Sequence, residues 1–109
     1  SVIIKESSNY KKDYRKIIIN KHMIKEKEKI DNIKNIILIS NNLHDVLISP
    51  YKNIYYIEKK KVNLKEYYTA RINDKLRLIM KPIGEYPYDS LKIESIEFVS
   101  IDDKHYGEG

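Results

Sequence analysis

The chain has 109 residues, of which 41% are apolar and 34% charged, with 21 lysines and arginines against 16 aspartates and glutamates. This composition is typical of one globular domain with a heavily charged surface, and it is too apolar for a disordered chain. The net charge of +5 favours a polyanionic partner, most simply nucleic acid. The absence of cysteine excludes disulfides, thiolate catalysis and cysteine-ligated metals.

The sequence contains no signal for a membrane or a metal. No apolar run approaches the roughly 18 residues of a membrane span, and the opening SVIIKESSNY lacks the long apolar core of a secretory signal. We therefore expect a cytoplasmic protein with a single domain over residues 1–109. The histidines His22, His44 and His105 are far apart and show no ligand spacing, so neither a metal nor a cofactor is expected.

The first half of the chain predicts a strand followed by two helices. The strand is SVIIKES, and one of Ser7, Ser8 or Asn9 is expected to cap a helix over residues 10–20. Helical spacing of apolar residues predicts a second helix over residues 25–42. The residues with this spacing are Ile30, Ile33, Ile36 and Ile37. Asn41 and Asn42 are expected to cap its C-terminus.

After Pro50, aromatic and β-branched residues predominate and predict strands. The predicted strands span residues 53–62, 65–72, 75–83 and 91–101. A turn is expected at NDK, residues 73–75, and IGEYPYDS predicts a longer connection before the last strand. The predicted fold is therefore α+β: a short N-terminal strand, two helices and an antiparallel β-meander, with the helices packed on one face of the sheet.

Two arginines, Arg71 and Arg77, flank the predicted NDK turn. A two-residue turn would place them on opposite faces of the hairpin, whereas a three-residue loop over residues 73–75 would pair them on one face. We predict the three-residue loop, because it also gives the hairpin a consistent apolar face. That face contains Ala70, Ile72, Leu76 and Leu78.

Two adjacent cations are unfavourable unless an anion lies between them. A phosphate would suit Arg71 and Arg77, since guanidinium groups bind phosphate oxygens at two points. The alternative is that each arginine pairs with a surface carboxylate such as Glu66 or Glu97.

Further candidate residues lie in a lysine run and at the C-terminus. EKKKVNLKE contains Lys59, Lys60, Lys61 and Lys65. These lysines are explained either by a solvated edge strand or by a phosphate-binding ridge. The flanking tyrosines suit single-stranded nucleic acid and equally an ordinary core; they are Tyr51, Tyr55, Tyr56, Tyr67 and Tyr68. In DDKHY, His105 and Tyr106 are proton-transfer candidates, unless this segment is simply a frayed tail.

The hairpin sequence YYTARINDKLRLIM, together with the ending VSIDDKHY, resembles the RelE/ParE toxin superfamily. Within that superfamily the hairpin looks like the HigB-like branch of plasmid maintenance killer proteins. The resemblance covers residues 60–106, and the order of elements, the length and the basic charge are also similar. The ending DDKHY departs from the commoner DYH, and the insertion PIGEYPYDS is unusual for the family.

The resemblance implies a toxin of a bacterial type II toxin–antitoxin system that cleaves mRNA in the ribosomal A site without a metal. Arg77 would stabilise the phosphate, Arg71 would assist, and His105 or Tyr106 would transfer protons. The residues implied to bind RNA are Lys59, Lys60, Lys61, Lys65 and Lys104, with Asp103 adjacent. The implied protein partner is a cognate antitoxin. The alternatives are a ParE-like inhibitor of DNA gyrase and a non-enzymatic nucleic-acid-binding module of the same fold.

Overall fold

The structure is a computed structural model that describes residues 1–60 and 65–103. Its strands are β1 (Ile3–Glu6), β2 (Glu58–Lys59), β3 (Tyr68–Arg71), β4 (Arg77–Pro82) and β5 (Ser95–Asp102). Its helices are α1 (Ser8–Ile18), α2 (Ile24–Ile39), α3 (Leu43–Ile48), α4 (Tyr51–Ile54) and a 3₁₀ helix (Ser90–Lys92). Over the described ranges, none of these helices has the length and apolar composition needed to cross a bilayer.

The predicted first helix is confirmed, and Ser7 is its N-cap. The Ser7 hydroxyl accepts a hydrogen bond of 3.0 Å from the backbone N–H of Tyr10, which satisfies one of the unpaired donors of the first turn. The same hydroxyl donates to the carbonyl of Val99 at 2.6 Å. One small side chain therefore both starts α1 and ties it to β5.

The second helix is confirmed, but the prediction of its end is wrong. α2 ends at Ile39 with Ser40 as its C-cap. Asn42 instead begins α3, because its side-chain oxygen accepts from the N–H of Asp45 at 2.9 Å. Asparagine is common both at the N-cap, where its side-chain oxygen accepts a hydrogen bond, and at the C-terminal end of a helix, where its backbone tolerates the left-handed conformation. The sequence alone did not distinguish these two roles. Helices α3 and α4 were not predicted.

The sheet has the strand order β1-β5-β4-β3-β2. Strands β2 to β5 form the predicted antiparallel meander, and β1 pairs in parallel with β5. The predicted strand over residues 53–62 was too long, since Tyr51–Ile54 is helical and β2 holds only Glu58–Lys59. Pro50 explains the helix: its fixed φ of −63° suits a helix start, and its carbonyl accepts from Ile54 at 3.3 Å.

One face of the sheet packs against the helices. Phe98 of β5 contacts Tyr10 of α1 edge to face, with ring centroids 5.3 Å apart. The isoleucines Ile30, Ile33 and Ile37 of α2 are buried in the same core. Alternation along the strands directs another set of side chains to the opposite face. We call this the arginine face, and it carries Glu58, Lys60, Thr69, Arg71, Arg77, Ile79, Lys81, Glu97, Ser100 and Asp102.

Candidate functional site

The β3–β4 hairpin has the predicted register. Arg71 pairs directly with Arg77 and Ala70 pairs with Leu78, so the three-residue loop is confirmed. The loop is closed by the N–H of Ile72, which donates to the carbonyl of Leu76 at 3.0 Å. Both arginines therefore lie on one face, and the apolar partners lie on the other.

Asn73 shapes the loop between the arginines. Its side-chain oxygen accepts from the backbone N–H of Lys75 at 2.9 Å and from that of Leu76 at 2.7 Å. An asparagine side chain that bonds two and three residues ahead replaces backbone contacts and stabilises a tight turn. The Asn73 amide also donates to the Glu26 carboxylate of α2 at 3.2 Å, which fixes the loop against the helices.

Arg77 is built into the hairpin. It is 6% exposed, and its Nη1 donates to the carbonyl of Asn73 at 2.8 Å and to that of Leu76 at 3.2 Å. Both of these contacts are with the backbone of the loop. They hold the Arg77 guanidinium at the loop end of the arginine face.

Arg71 is held in a different way. Its guanidinium carbon lies 4.1 Å from the ring centroid of Tyr56, a distance at which a cation is attracted to the ring face. Its backbone N–H donates to the carbonyl of Tyr55 at 2.8 Å. Among the described residues, Arg71 Nε is the buried side-chain polar atom that has no hydrogen-bond partner. Such an unsatisfied buried donor is costly, so the contacts around Arg71 do not fully satisfy its guanidinium.

Tyr56 lies on unusual backbone. Its φ of 49° is in the left-handed region, which costs a non-glycine residue about 1–2 kcal/mol. Strain of this kind persists where surrounding contacts determine it, and it is common at functional sites. From the sequence we singled out Tyr56 only as one of several tyrosines near the lysines. No local signal assigned it to Arg71, because a contact between residues so far apart in the chain depends on the tertiary fold.

Asp102 completes a row of charged residues across three strands. It pairs with Arg77 in the β4–β5 register, as Arg71 does in β3–β4. Its carboxylate also accepts from the Ser100 hydroxyl at 3.1 Å. The register thus places Asp102 on the arginine face, directly across from Arg77.

Within the lysine run, the neighbours Lys59 and Lys60 project from different faces of the sheet. The N–H of Lys60 donates to the carbonyl of Tyr67 at 3.0 Å, so alternation directs its side chain to the arginine face, where it is 3% exposed. Lys59 pairs with Tyr68 and projects from the opposite face, with its Nζ 5.4 Å from the ring centroid of Tyr86. Successive strand residues cannot share a face, so the run divides between two surfaces.

Several predicted site residues lie outside the described ranges: Lys61, Lys104, His105 and Tyr106. Two tyrosines within those ranges do not suit the role of general base at neutral pH. Burial raises the pKa of Tyr68. Burial, with the nearby Glu66 carboxylate, raises the pKa of Tyr88 to about 12. Both phenols therefore stay protonated at neutral pH, and neither can serve as a base.

No protein-family model and no curated protein matches the sequence, but solved structures match along nearly its whole length. YoeB from Staphylococcus aureus, described as a dimer, is 27% identical with a TM-score of 0.63, covering 96% of this chain and 98% of that one. YafQ from E. coli is 19% identical with a TM-score of 0.64, covering 95% and 94%. A YoeB/ParE toxin from Agrobacterium tumefaciens is 16% identical with a TM-score of 0.63, covering 95% and 100%.

Two of the matched toxins are also found in complexes. YafQ is seen with DinJ, and the staphylococcal YoeB is seen with YefM. The HigB-like branch is not among the matched structures described here, and that finer assignment stays a prediction. The shared fold along nearly the whole of each chain, with 27% identity to the staphylococcal YoeB, identifies the protein as a toxin of the RelE/ParE superfamily.

Proposed function

We propose that this toxin is an mRNA endoribonuclease that acts in the ribosomal A site and needs no metal. The observation that carries the proposal is the direct pairing of Arg71 with Arg77 on one sheet face. Two guanidinium groups at paired positions of adjacent strands would provide a site for one phosphodiester, because guanidinium N–H groups donate to phosphate oxygens. The buried Lys60 adds positive charge on the same face.

The proposed reaction is an internal transfer within the RNA. The ribose 2′-oxygen attacks the adjacent phosphorus and loses its proton to a base. The bond from phosphorus to the 5′-oxygen then breaks, and an acid donates a proton to that oxygen. The products are a 2′,3′-cyclic phosphate and a 5′-hydroxyl, so atoms and protons balance without any further reactant.

The arginines act on the charge that builds up during this reaction. The phosphorane carries more negative charge than the ground-state diester, and donors held in place beforehand stabilise it most in a site shielded from water. Arg77 is held by two loop carbonyls and Arg71 by the Tyr56 ring, so neither needs to reorganise. His105 and Tyr106 are the proposed proton-transfer groups.

Arg71 gives the cleanest test of this function. Arg77 also donates a hydrogen bond to the hairpin loop, so a loss of activity in an Arg77 variant could come from either lost catalysis or lost folding. We expect induced expression of the wild-type chain in a bacterium to stop growth and to cut mRNA. Arg71→Ala should lower the cleavage rate by about a hundredfold or more, and His105→Ala should lower it as well.

Arg15 provides the matched control. It lies exposed on α1, so Arg15→Ala removes an equal charge away from the arginine face. If growth arrest and mRNA cleavage survive both Arg71→Ala and His105→Ala, the proposed mechanism is wrong. Growth arrest accompanied by inhibition of DNA supercoiling, with mRNA intact, would instead indicate a gyrase inhibitor.

We also propose a cognate antitoxin as the protein partner. The supporting observations are the matched complexes of YafQ with DinJ and of YoeB with YefM. The basic charge of +5 favours a partner that brings carboxylates to the arginine face. Co-expression with the product of a neighbouring reading frame should restore growth, and the two proteins should purify together.

A further inference from the structure

A second basic surface lies at the β2 edge of the sheet. It is about 13 Å from the arginine pair along β3, because four residues at about 3.3 Å each separate the two. A cavity of about 290 Å³ opens there, and it is lined by Lys59, Lys60, Lys65 and Tyr86. Among the described residues, three lysines and one tyrosine line it and no acidic residue does, with Lys59 and Lys60 approaching from the two faces of the edge strand. We call this cavity the Tyr86 pocket.

The insertion over residues 83–90 supplies the ring of this pocket. Tyr86 contacts Tyr88 edge to face at 5.4 Å, and the Tyr88 hydroxyl donates to the carbonyl of Glu66 at 2.7 Å. The insertion is thereby fixed to the chain beside β3. Gly84 allows the insertion to begin close to the core, since a Cβ there would lie 2.6 Å from Cδ1 of the buried Ile93.

The chemistry of the pocket matches a nucleotide. A tyrosine ring stacks on any base, and neighbouring lysines bind the backbone phosphates. The Lys59 ammonium lies over the Tyr86 ring at 5.4 Å, so the cation and the stacking surface are already adjacent. Lys59 and Lys65 are exposed and Tyr86 is half-buried, which leaves all three accessible to a strand of RNA.

We infer that the Tyr86 pocket is a stacking subsite for an unpaired RNA nucleotide flanking the scissile phosphodiester. The inference rests on the proposed function, because it makes this nucleotide part of the same RNA strand that crosses the arginine face. The subsite holds the strand in place, and Tyr86 takes no part in the chemistry. Recognition by stacking predicts binding that tolerates any base but requires one to be present.

The test is the affinity of the full chain for a single-stranded RNA in which every ribose is 2′-O-methylated, which binds but cannot be cleaved. Tyr86→Ala should raise the Kd about fivefold to a hundredfold, whereas Tyr86→Phe should bind like the wild type. Tyr86→Leu keeps an apolar side chain against Tyr88, so a similar loss in this variant separates stacking from loop folding. Lys65→Ala should weaken binding to all sequences and reduce its dependence on salt.

Leu91→Ala is the matched control. Leu91 is a large apolar residue that is 60% exposed and does not line the pocket. A single abasic nucleotide moved along the RNA should weaken wild-type binding at one position and leave Tyr86→Ala unaffected there. The proposed subsite would be wrong if the wild-type chain did not bind this RNA. It would also be wrong if the Tyr86→Ala and Tyr86→Leu variants bound the RNA as tightly as the wild type.

The two proposals fail separately. If RNA cleavage depends on Arg71 but the affinity for RNA does not change in the Tyr86 variants, the nuclease proposal stands and the subsite is rejected. Binding that depends on Tyr86, in a chain that cleaves no mRNA on or off the ribosome, would keep the subsite and reject the nuclease. If Tyr86→Ala abolishes binding of the protein partner but leaves RNA binding unchanged, the pocket binds that partner and the RNA subsite is rejected.

Discussion

Tyr56 lies beneath Arg71, with the guanidinium carbon 4.1 Å from the ring centroid. The contact joins a residue just after α4 to the end of β3, and the tyrosine takes a left-handed backbone conformation in making it. The ring supports the guanidinium from one side while Nε remains unsatisfied. Tyr56 is therefore a positioning residue for the arginine that we propose to bind phosphate.

The first prediction concerns this ring. Tyr56→Ala should lower mRNA cleavage about threefold to thirtyfold, which corresponds to a cation–π contact of about 0.5–2 kcal/mol. Tyr56→Phe keeps the ring and should restore most of the activity. Cleavage assays on the three purified proteins measure this difference, and a Phe variant as poor as the Ala variant would contradict the role of the ring.

The left-handed φ of Tyr56 makes a separate prediction about stability. Tyr56→Gly should unfold at higher urea concentration than Tyr56→Ala, with a difference of about 1 kcal/mol in the free energy of unfolding, because glycine adopts positive φ without a steric cost. The two variants should be equally poor in cleavage, since both lack the ring. Equal stabilities would show that the backbone relaxes when the side chain is removed.

The two arginines should differ in their contribution to stability. Arg77→Ala removes two charged hydrogen bonds to loop carbonyls and should lower the free energy of unfolding by about 1.5–3 kcal/mol. Arg71→Ala removes a guanidinium whose Nε has no partner and should cost clearly less. Urea titrations of both variants test this ordering, and a larger loss for Arg71→Ala would reverse our assignment of roles.

Asn73 should be required for the hairpin loop. Asn73→Ala removes the acceptor for the N–H groups of Lys75 and Leu76 and should lower the free energy of unfolding by about 1–2 kcal/mol. Asp74→Ala, at an exposed position of the same loop, is the control and should have little effect. Similar losses for the two variants would mean that the Asn73 contacts do not stabilise the turn.

Alkaline pH should destabilise the fold through Tyr14. Burial, together with the hydrogen bond that its hydroxyl donates to Asp31 at 2.6 Å, raises the pKa of Tyr14 to about 12, against about 10 in an unfolded chain. The unfolded state therefore releases this proton first, so the stabilisation is complete below pH 10 and is lost as the pH rises to about 12. In urea titrations across this range, Tyr14→Phe should show a shallower loss of stability than the wild type. Identical slopes would show that the Tyr14 phenol is not responsible.

Local chemistry in the sequence was enough to predict the centre of the site. Side chains alternate along a strand, and the NDK turn limits the loop to a few lengths, so a consistent apolar face left only the register that pairs Arg71 with Arg77. The Ser7 cap and the buried isoleucines of α2 follow from equally local rules. These predictions succeeded because each depends on residues only a few positions apart.

Only the tertiary structure decided what surrounds the arginines. The stacking of Tyr56 on Arg71 and the helix begun by Asn42 depend on how distant segments pack. With the same neighbouring residues, an asparagine can begin a helix or follow one. A tyrosine can likewise lie in a core or stack against a cation. Packing selects among such alternatives because the contacts that decide them join residues far apart in the chain.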